Sequence, residues 1–245
     1  MKRVKMIVAY EGTNYCGFQI QPNAITIEEV LNKKLFELLN EPIKVIGASR
    51  TDSGVHAMGN VAVFDTNTRI PGEKIAFALN RILPEDIRIQ GSCEVAPDFH
   101  PRFCNTRKTY EYKIVNRTFP IPTLRNIAHF EHYPLDIKRM QEAASYLVGE
   151  HDFRSFATAK LQVESTVREI YSLTVEEVGD MIVIRVIGNG FLYNMVRIIA
   201  GTLMEIGMKR LDPDIIPSMI KGCDRSLAGP TAPAKGLTLV SIEYV

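Results

Sequence analysis

The sequence has few cysteines, and they lie far apart. Its 245 residues include four of them, Cys16, Cys93, Cys104 and Cys223, and none belongs to a C-x-x-C pair. Disulfide frameworks and zinc sites are recognised by paired or regularly spaced cysteines. The spacing therefore argues against both and favours free thiols in a reducing compartment, so we expect a cytoplasmic protein.

Long hydrophobic runs are also missing. No stretch approaches the roughly 20 apolar residues that a membrane-spanning helix needs, and the first residues, MKRVKMIVAYEG, reach charge too soon for a signal peptide. We therefore expect no membrane partner. With 46% hydrophobic residues the chain can bury a sizeable core. The sequence thus predicts a folded protein of one large domain or two of ordinary size.

A large excess of charge is missing as well. The 29 Lys and Arg residues nearly balance the 28 Asp and Glu residues, for a net charge of +1, so the whole chain gives no strong electrostatic indication of nucleic-acid binding. A strip at residues 102–117 differs, because basic side chains there alternate with Tyr110 and Tyr112. Its basic residues are Arg102, Arg107, Lys108, Lys113 and Arg117, against the single acid Glu111. Such a strip can hold phosphates and stack bases, but a half-solvated strand has the same pattern, and both interpretations stay open.

The segment ASRTDSGVHA, residues 48–57, carries the candidate chemistry. It follows an apolar run at residues 43–46 that predicts a strand, and it places Asp52 two residues after Arg50 and shortly before Gly54. A carboxylate on a tight loop beside a guanidinium is suited to being held ionised and presented to a ligand. An aspartate before a Ser-Gly pair is also a common turn former whose side chain bonds nearby backbone N–H groups. The segment alone therefore leaves a purely structural role open.

Hydrophobic periodicity and helix-capping signals predict one element order, β-α-β-β-α-β, in both halves of the chain. In the first half, Thr26 is the predicted N-cap of a helix and Glu29 completes its capping box. The predicted strands there cover residues 3–10, 43–48, 60–65 and 87–95, and the helices cover residues 27–39 and a segment from Pro71 to before Pro84. In the second half, the predicted strands cover residues 109–115, 167–176, 181–187 and 237–244, and the helices cover residues 137–147, 191–206 and 214–221.

Two consecutive β-α-β-β-α-β units are the ferredoxin-like arrangement. We therefore expect an α+β fold of two ferredoxin-like halves, residues 1–105 and 106–245, joined into a mostly antiparallel sheet with helices on one face. If the two sheets join edge to edge, the loop at residues 51–56 lies at a central cleft that suits a long polyanion such as RNA. RNA-recognition modules share this sheet topology, but the comparison is an analogy because a fold does not fix a function.

Six segments of the sequence resemble the TruA family of tRNA pseudouridine synthases, over nearly the full length of the chain. In order they are YEGTNYCGFQIQPN, SRTDSGVHAMGNVAVF, FHPRFCNTRKTYEYKI, EHDFRSFA, GNGFLYNMVRIIAGTL and AGPTAPAKGLTLVSIEY. The coincidence of the RTDSGVHA segment with the later R-x-x-Y-x-Y and FLYNMVR segments makes the resemblance specific.

The resemblance implies an isomerase that converts uridine to pseudouridine in tRNA, at positions 38, 39 and 40 of the anticodon stem-loop. Asp52 would be the nucleophile: the carboxylate attacks the nucleoside, the glycosidic C–N bond breaks, the base turns, and it rejoins through carbon 5. Whether the ribose or the base is attacked stays open. No cofactor is expected, because nothing is oxidised and no group is lost. The family also implies a homodimer, which would double the positive surface offered to tRNA.

The resemblance also gives roles to residues outside the nucleophile. Because the target base lies in a stem and must be flipped out, Arg50 is expected to contact the RNA near the vacated position. Tyr110 matches the family tyrosine that stacks beneath the uracil, and Arg197 matches the basic residue that pairs with the catalytic carboxylate. For His56 we favour a hydrogen-bonding role in the loop over proton transfer.

Some positions depart from the family pattern, and other functions compete with this one. Ser49 stands where the family usually has glycine, and Pro101 and Cys104 replace smaller or different residues, which bears on the loop geometry. The main alternative is a non-catalytic RNA-binding or RNA-folding protein that keeps Asp52 as a turn residue. A carboxylate-dependent hydrolase is disfavoured, because no second carboxylate is evident near Asp52.

Metal binding is not expected from the histidines. His129 and His132 flank Phe130-Glu131, and His100 lies earlier in the chain. No third ligand has a convincing spacing for a zinc site built on these residues.

Overall fold

The computed structural model describes residues 1–158 and 164–245. Their backbone contacts divide them into two compact units, Met1–Asn105 with Leu239–Val245, and Thr106–Thr238. Both units combine helices with largely antiparallel strands, so the predicted α+β class is confirmed. The C-terminal residues Leu239–Val245, which the division at residue 105 assigns to the second half, cluster with the first unit.

The first unit has the predicted β-α-β-β-α-β order. Its elements are β1 (Lys2–Tyr10), α1 (Ile27–Leu39), β2 (Ile46–Gly47), β3 (His56–Thr66), α2 (Gly72–Leu79) and β4 (Ile87–Val95). Strand β1 lies in the middle, antiparallel to both β3 and β4, and β2 pairs with β3. The loop that carries Asp52 therefore connects β2 to β3.

Helix α1 has the predicted bounds because both of its ends are capped. The Thr26 hydroxyl accepts a hydrogen bond from the Glu29 backbone N–H at 3.3 Å, and Asn40 ends the helix in the left-handed region with φ 53°. Ile27, Leu31 and Leu35 are fully buried, which is the apolar stripe of an amphipathic helix. The stripe anchors the helix in the core of this unit.

Two elements of the first unit differ from the prediction. Strand β2 is much shorter than the strand predicted over residues 43–48. The Val45 backbone N–H donates to the Asn32 side-chain oxygen at 2.8 Å and is therefore not available for strand pairing. Strand β3 is longer than residues 60–65, because pairing with β1 extends to Ala57 opposite Tyr10. Pairing of β3 thus begins only a few residues after Asp52.

The second unit is built from a four-strand antiparallel sheet with additional short elements. Its elements are β5 (Thr106–Asn116), β6 (His129–Glu131), α3 (Ile137–Ser145), β7 (Gly149–Asp152), β8 (Val167–Val178), β9 (Met181–Gly188), α4 (Met195–Gly207) and α5 (Ile216–Gly222). The strand order is β5-β9-β8-β7, and β6 runs parallel to β5. Strands β6 and β7 were not predicted, because segments this short show no period-2 alternation.

The last strand, β10 (Leu237–Tyr244), has the predicted bounds. It begins in the second unit, and its residues from Leu239 onward belong to the first unit, where it lies next to β3. The pattern of the sequence located the strand correctly without showing that it divides between units.

Helix α4 begins later than the predicted residue 191. Asn194 precedes it in the left-handed region with φ 62°, so the helix starts at Met195. Its Gly201 approaches another backbone segment so closely that a Cβ atom there would lie 1.9 Å from the Pro230 carbonyl oxygen. This close approach fixes residues 229–232 against the turn of α4 that carries Arg197.

The helices are all short. Among residues 1–158 and 164–245, no helix is long and apolar enough to cross a membrane.

Candidate active site

Asp52 lies in a tight turn that is closed by its own backbone. The Asp52 carbonyl oxygen accepts a hydrogen bond from the Val55 N–H at 3.1 Å, and Gly54 adopts φ +76°, a conformation that glycine tolerates best. The Gly54 N–H and the Ser53 hydroxyl both donate to the Tyr15 carbonyl oxygen, at 3.2 and 3.3 Å. The turn is therefore tied to the segment at residues 12–18, which we call the support segment.

Two glycines let the support segment lie directly against the Asp52 turn. A Cβ atom on Gly17, whose φ is +84°, would lie 2.6 Å from the Thr51 carbonyl oxygen. A Cβ atom on Gly12 would lie 2.0 Å from the Val55 carbonyl oxygen. Real Cβ atoms do not come this close to a backbone oxygen, so both positions require glycine and the backbone touches the turn on both sides of Asp52.

The support segment is in turn attached to helix α1. The Ile27 and Glu28 N–H groups at the helix start donate to the carbonyl oxygens of Gly17 and Phe18, at 3.2 and 2.9 Å. The Phe18 N–H donates to the Thr51 carbonyl oxygen at 3.1 Å. The capped helix, anchored by its buried stripe, thus contributes to the position of the residue next to Asp52.

A buried polar network lies beside the turn. The fully buried Asn60 amide bonds both backbone groups of Ser49, accepting from its N–H at 3.3 Å and donating to its carbonyl oxygen at 3.0 Å. The Tyr10 and Thr51 hydroxyls lie 2.7 Å apart, and Asn60 donates to the Tyr10 hydroxyl at 3.3 Å. Buried polar groups of this kind need all their partners. The network therefore fixes the residues on both sides of Arg50.

Asn60 was not predicted from the sequence to be part of the site. The available signal was a polar residue in a strand whose neighbours Val61, Ala62 and Val63 are all buried and apolar. The network also explains how Ser49 is accommodated at a position where the family usually has glycine, since both of its backbone groups are satisfied by Asn60.

Arg50 is presented to solvent between two buried residues. Ser49 and Thr51 are 9% and 8% exposed, whereas Arg50 is exposed. The positive charge of Arg50 acts on Arg102. Desolvation lowers the pKa of Arg102 below its ordinary value, and the charge of Arg50 lowers this pKa further, whereas the negative charge of Glu28 raises it. Two guanidinium groups thus lie close enough to repel each other, an arrangement that a phosphate would relieve.

His56 makes a hydrogen bond to the backbone, as the sequence analysis favoured, although it lies in β3 and not in the loop. It is 4% exposed, and its Nδ1 accepts from the Gly12 N–H at 3.0 Å. An Nδ1 that accepts from an amide carries no proton. His56 therefore connects the support segment to the residue where β3 begins.

Tyr110 lies on β5 in the second unit with its ring held at a fixed angle. It is 7% exposed, and the Phe191 ring packs edge-on against it at 5.3 Å between centroids and 84° between planes. Tyr112, its partner in the basic strip, is fully buried and donates its hydroxyl to the Pro233 carbonyl oxygen at 2.9 Å. Tyr112 therefore belongs to the core.

The basic strip at residues 102–117 divides into different environments. Lys113 and Arg185 both contact the Glu111 carboxylate, at 3.6 and 2.6 Å, which is the half-solvated strand that the sequence left open. Arg107 instead lies over the Tyr171 ring at 5.0 Å. One part of the strip is thus an ion cluster on β5 and β9, and another presents a cation on an aromatic surface.

Arg197 projects from α4 with its guanidinium fixed from two sides. Its Nε donates to the Ala232 carbonyl oxygen and one terminal nitrogen donates to the Asn194 side-chain oxygen, both at 2.8 Å. These bonds offset the cost of placing a charge on a largely buried helix. Of the four predicted site residues, Arg50 and Asp52 share one loop of the first unit, and Tyr110 and Arg197 belong to the second unit.

The histidines show no metal-binding arrangement. His129 and His132 both face the Glu131 carboxylate, at 4.0 and 3.6 Å, and burial lowers the pKa of His129 below its ordinary value. Within the described part of the chain, no cluster of three or more His, Cys, Asp or Glu side chains is placed to hold a metal ion.

Comparison with known proteins gives the same family that the motifs resemble. A family model described as tRNA pseudouridine synthase matches residues 6–104 and 143–245. A protein named tRNA pseudouridine synthase A from a Thermoanaerobacter species is 48% identical over 244 residues, and one of the same name from Ruminiclostridium cellulolyticum is 50% identical over 245 residues. Both matches cover 100% of each chain. Arg50, Asp52 and Arg197 fall within the matched segments of the family model, and Tyr110 lies between them.

Proposed function

Because the chain belongs to the tRNA pseudouridine synthase family and is thus an isomerase that converts uridine to pseudouridine in tRNA, we propose that it acts at positions 38, 39 and 40 of the anticodon stem-loop with Asp52 as the nucleophile. The observation that carries the assignment of Asp52 is the way its turn is held. Backbone, glycine contacts and buried side chains fix the turn from both sides. Such pre-organisation is what a reacting group requires.

The proposed reaction needs only groups that a protein supplies. The bond from the ribose C1′ to N1 of uracil breaks, a bond from C1′ to C5 forms, the C5 proton leaves, and N1 gains a proton. The product has the composition of the substrate, so no oxidant, reductant or second substrate is consumed. A carboxylate nucleophile divides this exchange into two steps through a covalent intermediate, and the proposal leaves open whether the ribose or the base is attacked.

We assign to Arg50 the contact with RNA from which the target base has been flipped. A base inside a stem must leave the stack before a carboxylate can reach it, and the space it leaves must be stabilised. Arg50 supports this role because its exposed side chain lies two residues from Asp52 on a backbone fixed by the Asn60 network. A planar guanidinium can bond bases and phosphates in ways that a lysine ammonium cannot.

Tyr110 and Arg197 complete the proposed site. We assign to Tyr110 the stacking position beneath the uracil, which its rigid edge-on contact with Phe191 supports. We assign to Arg197 the partnership with the catalytic carboxylate, which suits a guanidinium already oriented by two hydrogen bonds.

The proposal extends to a cytoplasmic homodimer. The four cysteines are free thiols, which fits a reducing compartment. A dimer would offer tRNA twice the positive surface of a chain whose net charge is only +1. Its test is the molar mass in solution at micromolar concentration, and a monomeric mass with full activity would contradict it.

The central experiment maps pseudouridine in unmodified tRNA after incubation with wild-type protein or with Asp52→Asn, without added cofactor or metal. The substitution keeps the size of the side chain and one acceptor oxygen, but it replaces the nucleophilic carboxylate by an amide. We expect pseudouridine at positions 38–40 from the wild type, none from Asp52→Asn, and similar tRNA affinity for both.

Asp180→Asn is the matched control for that experiment. Asp180 also lies in a turn, between β8 and β9, and pairs with Arg117 at 3.4 Å on the surface. Removing the Asp180 charge should therefore leave turnover unchanged. Product formation by Asp52→Asn at the wild-type rate would exclude the nucleophile assignment. Tight binding by the wild type without product on several tRNAs would instead favour the non-catalytic RNA-binding alternative.

A further inference from the structure

A turn at residues 99–105 presents an unusually exposed aromatic ring. Phe103 is 85% exposed, more than any other phenylalanine among the exposed large hydrophobic residues of the described chain. One face of its ring stacks on His100, with 4.1 Å between centroids and 19° between planes. At this exposure the opposite face is open to solvent, although an apolar ring is normally withdrawn from water.

The turn is folded upon itself, so the ring is held in a fixed place. Three groups donate to His100: the Arg102 N–H to its Nδ1 at 3.2 Å, the Phe103 N–H to its carbonyl oxygen at 3.3 Å, and the Cys104 thiol to that same oxygen at 3.4 Å. The exposure of Phe103 is therefore a feature of an ordered turn.

The base of the turn is attached to the rest of the first unit. The Tyr244 hydroxyl donates to the Pro101 carbonyl oxygen at 3.1 Å, and the Val245 N–H donates to the Asn105 carbonyl oxygen at 3.2 Å. Arg3 donates to the Phe99 carbonyl oxygen at 2.9 Å. Two positions that depart from the family pattern, Pro101 and Cys104, thus take part in bonds that shape and anchor the turn.

Cationic side chains lie near the turn that carries the Phe103 ring. Arg102 is adjacent in sequence and exposed, and its electrostatic interaction with Arg50 places the turn within range of the Asp52 loop. Desolvation, with the charges of Arg102 and Arg3, lowers the pKa of His100 below its ordinary value, which favours the neutral imidazole beneath Phe103. The surface thus combines an open aromatic face with nearby cations.

From this arrangement we infer that Phe103, backed by His100 and flanked by Arg102, is a stacking platform for an unpaired nucleobase of the bound tRNA. Its occupant is RNA because an aromatic face beside guanidinium groups matches the base and the phosphate of one nucleotide. The base must be unpaired, since a base inside a helix exposes no free face. The inference rests on the proposed function, whose substrate supplies such bases in the anticodon loop.

The test compares tRNA dissociation constants for three substitutions of the ring. Base–aromatic stacking predicts that Phe103→Ala weakens binding roughly tenfold or more. Phe103→Leu, which keeps most of the apolar volume but not the ring, should lose nearly as much affinity for tRNA. Phe103→Tyr, which keeps the aromatic ring, should bind tRNA like the wild type. The matched control is Phe77→Ala, because Phe77 is 71% exposed and has Lys74 5.4 Å from its ring centroid on α2. This control should bind like the wild type.

Salt dependence separates the stacking contact from the phosphate contact. Arg102→Gln should reduce the slope of log Kd against log salt by about one, whereas Phe103→Ala should weaken binding at every salt concentration with the slope unchanged. Urea unfolding checks that the exposed substitutions leave the fold intact. If Phe103→Ala shifts the unfolding midpoint, the tRNA affinities of Phe103→Leu and Phe103→Tyr still test the stacking contact. Of these two variants, only Phe103→Tyr keeps an aromatic ring on which a base can stack.

The platform would be overturned if Phe103→Ala and Phe103→Leu bind tRNA like the wild type, or if Phe77→Ala weakens binding equally. A change in molar mass without a change in affinity would overturn it in favour of a contact between copies of the chain. Pseudouridine formation by the wild type is measured on the same tRNA. If the wild type forms pseudouridine and the Phe103 variants bind tRNA normally, only the stacking platform is rejected. If the wild type forms no pseudouridine, the proposed function is rejected, and the comparison of tRNA affinities still tests the platform.

Discussion

Replacing Tyr10 by phenylalanine tests whether the buried network positions Asp52. The ring stays in the core, but the Thr51 hydroxyl and one Asn60 N–H lose the partner that lies 2.7 and 3.3 Å away. An unsatisfied buried polar group costs about 1–3 kcal/mol. Two such groups should therefore lower the free energy of unfolding by about 2 kcal/mol or more.

The companion substitution Thr51→Val removes the other hydroxyl of the pair. Alone, we expect it to cost about 1–2 kcal/mol, because the Tyr10 hydroxyl still accepts from Asn60. Combined with Tyr10→Phe it leaves only the Asn60 group unpaired. The double variant should then be more stable than the sum of the single losses predicts, by about 1 kcal/mol.

Among Tyr10→Phe, Thr51→Val and the double variant, turnover should not follow the free energy of unfolding. Without the tether, the turn no longer holds Asp52 in one orientation, and misplacement of a reacting group by about 1 Å can cost roughly a hundredfold in rate. We expect kcat to fall about 10- to 100-fold in Tyr10→Phe and to stay low in the double variant, with KM for tRNA little changed. Tritium release from tRNA labelled at C5 of uridine measures the rate, and urea unfolding measures stability.

Ser155→Ala is the control for this experiment. Its buried hydroxyl donates to the Met219 carbonyl oxygen at 2.6 Å in the second unit, so its loss should lower stability without lowering kcat. Unchanged kcat in Tyr10→Phe, despite the expected loss of stability, would refute the positioning role. An absent coupling energy would refute the contribution of the hydroxyl pair to folding.

Two further substitutions probe the same loop. Gly17→Ala forces a side chain into φ +84° and towards the Thr51 carbonyl oxygen; we expect a loss of about 2 kcal/mol or more in urea unfolding together with reduced turnover, and an unaltered midpoint would contradict the close approach. Arg50→Lys keeps the charge but not the planar guanidinium, so kcat in the tritium assay should fall about tenfold or more, and a fully active variant would make a shape-specific role untenable.

The sequence located elements whose signals are local. Helix α1 was predicted within its observed bounds, because the Thr26 cap and the stripe of Ile27, Leu31 and Leu35 lie within a few residues of one another. Strand β2 was predicted too long, because the Asn32 side chain that removes the Val45 N–H from pairing comes from a helix. Contacts of that kind are set by packing between elements and leave no periodic trace.

The same distinction applies to the candidate site. The motif around Asp52 identified the loop and the family, because its residue types are adjacent in sequence. Asn60 was missed, because its contacts with Ser49 and Tyr10 span 11 and 50 positions. The roles of Asp52, Arg50, Tyr110 and Arg197 remain predictions.

The supports of the Asp52 turn lie almost entirely outside the turn. Residues 49–56 carry the carboxylate and the guanidinium, but Gly12, Gly17, Tyr10 and Asn60 supply the restraints. A graft of the octapeptide into an unrelated hairpin would transfer its composition and lose its geometry. A useful transplant must carry residues 10–17 as well as residues 49–60, so the smallest portable version of this site is most of a β-α-β-β unit.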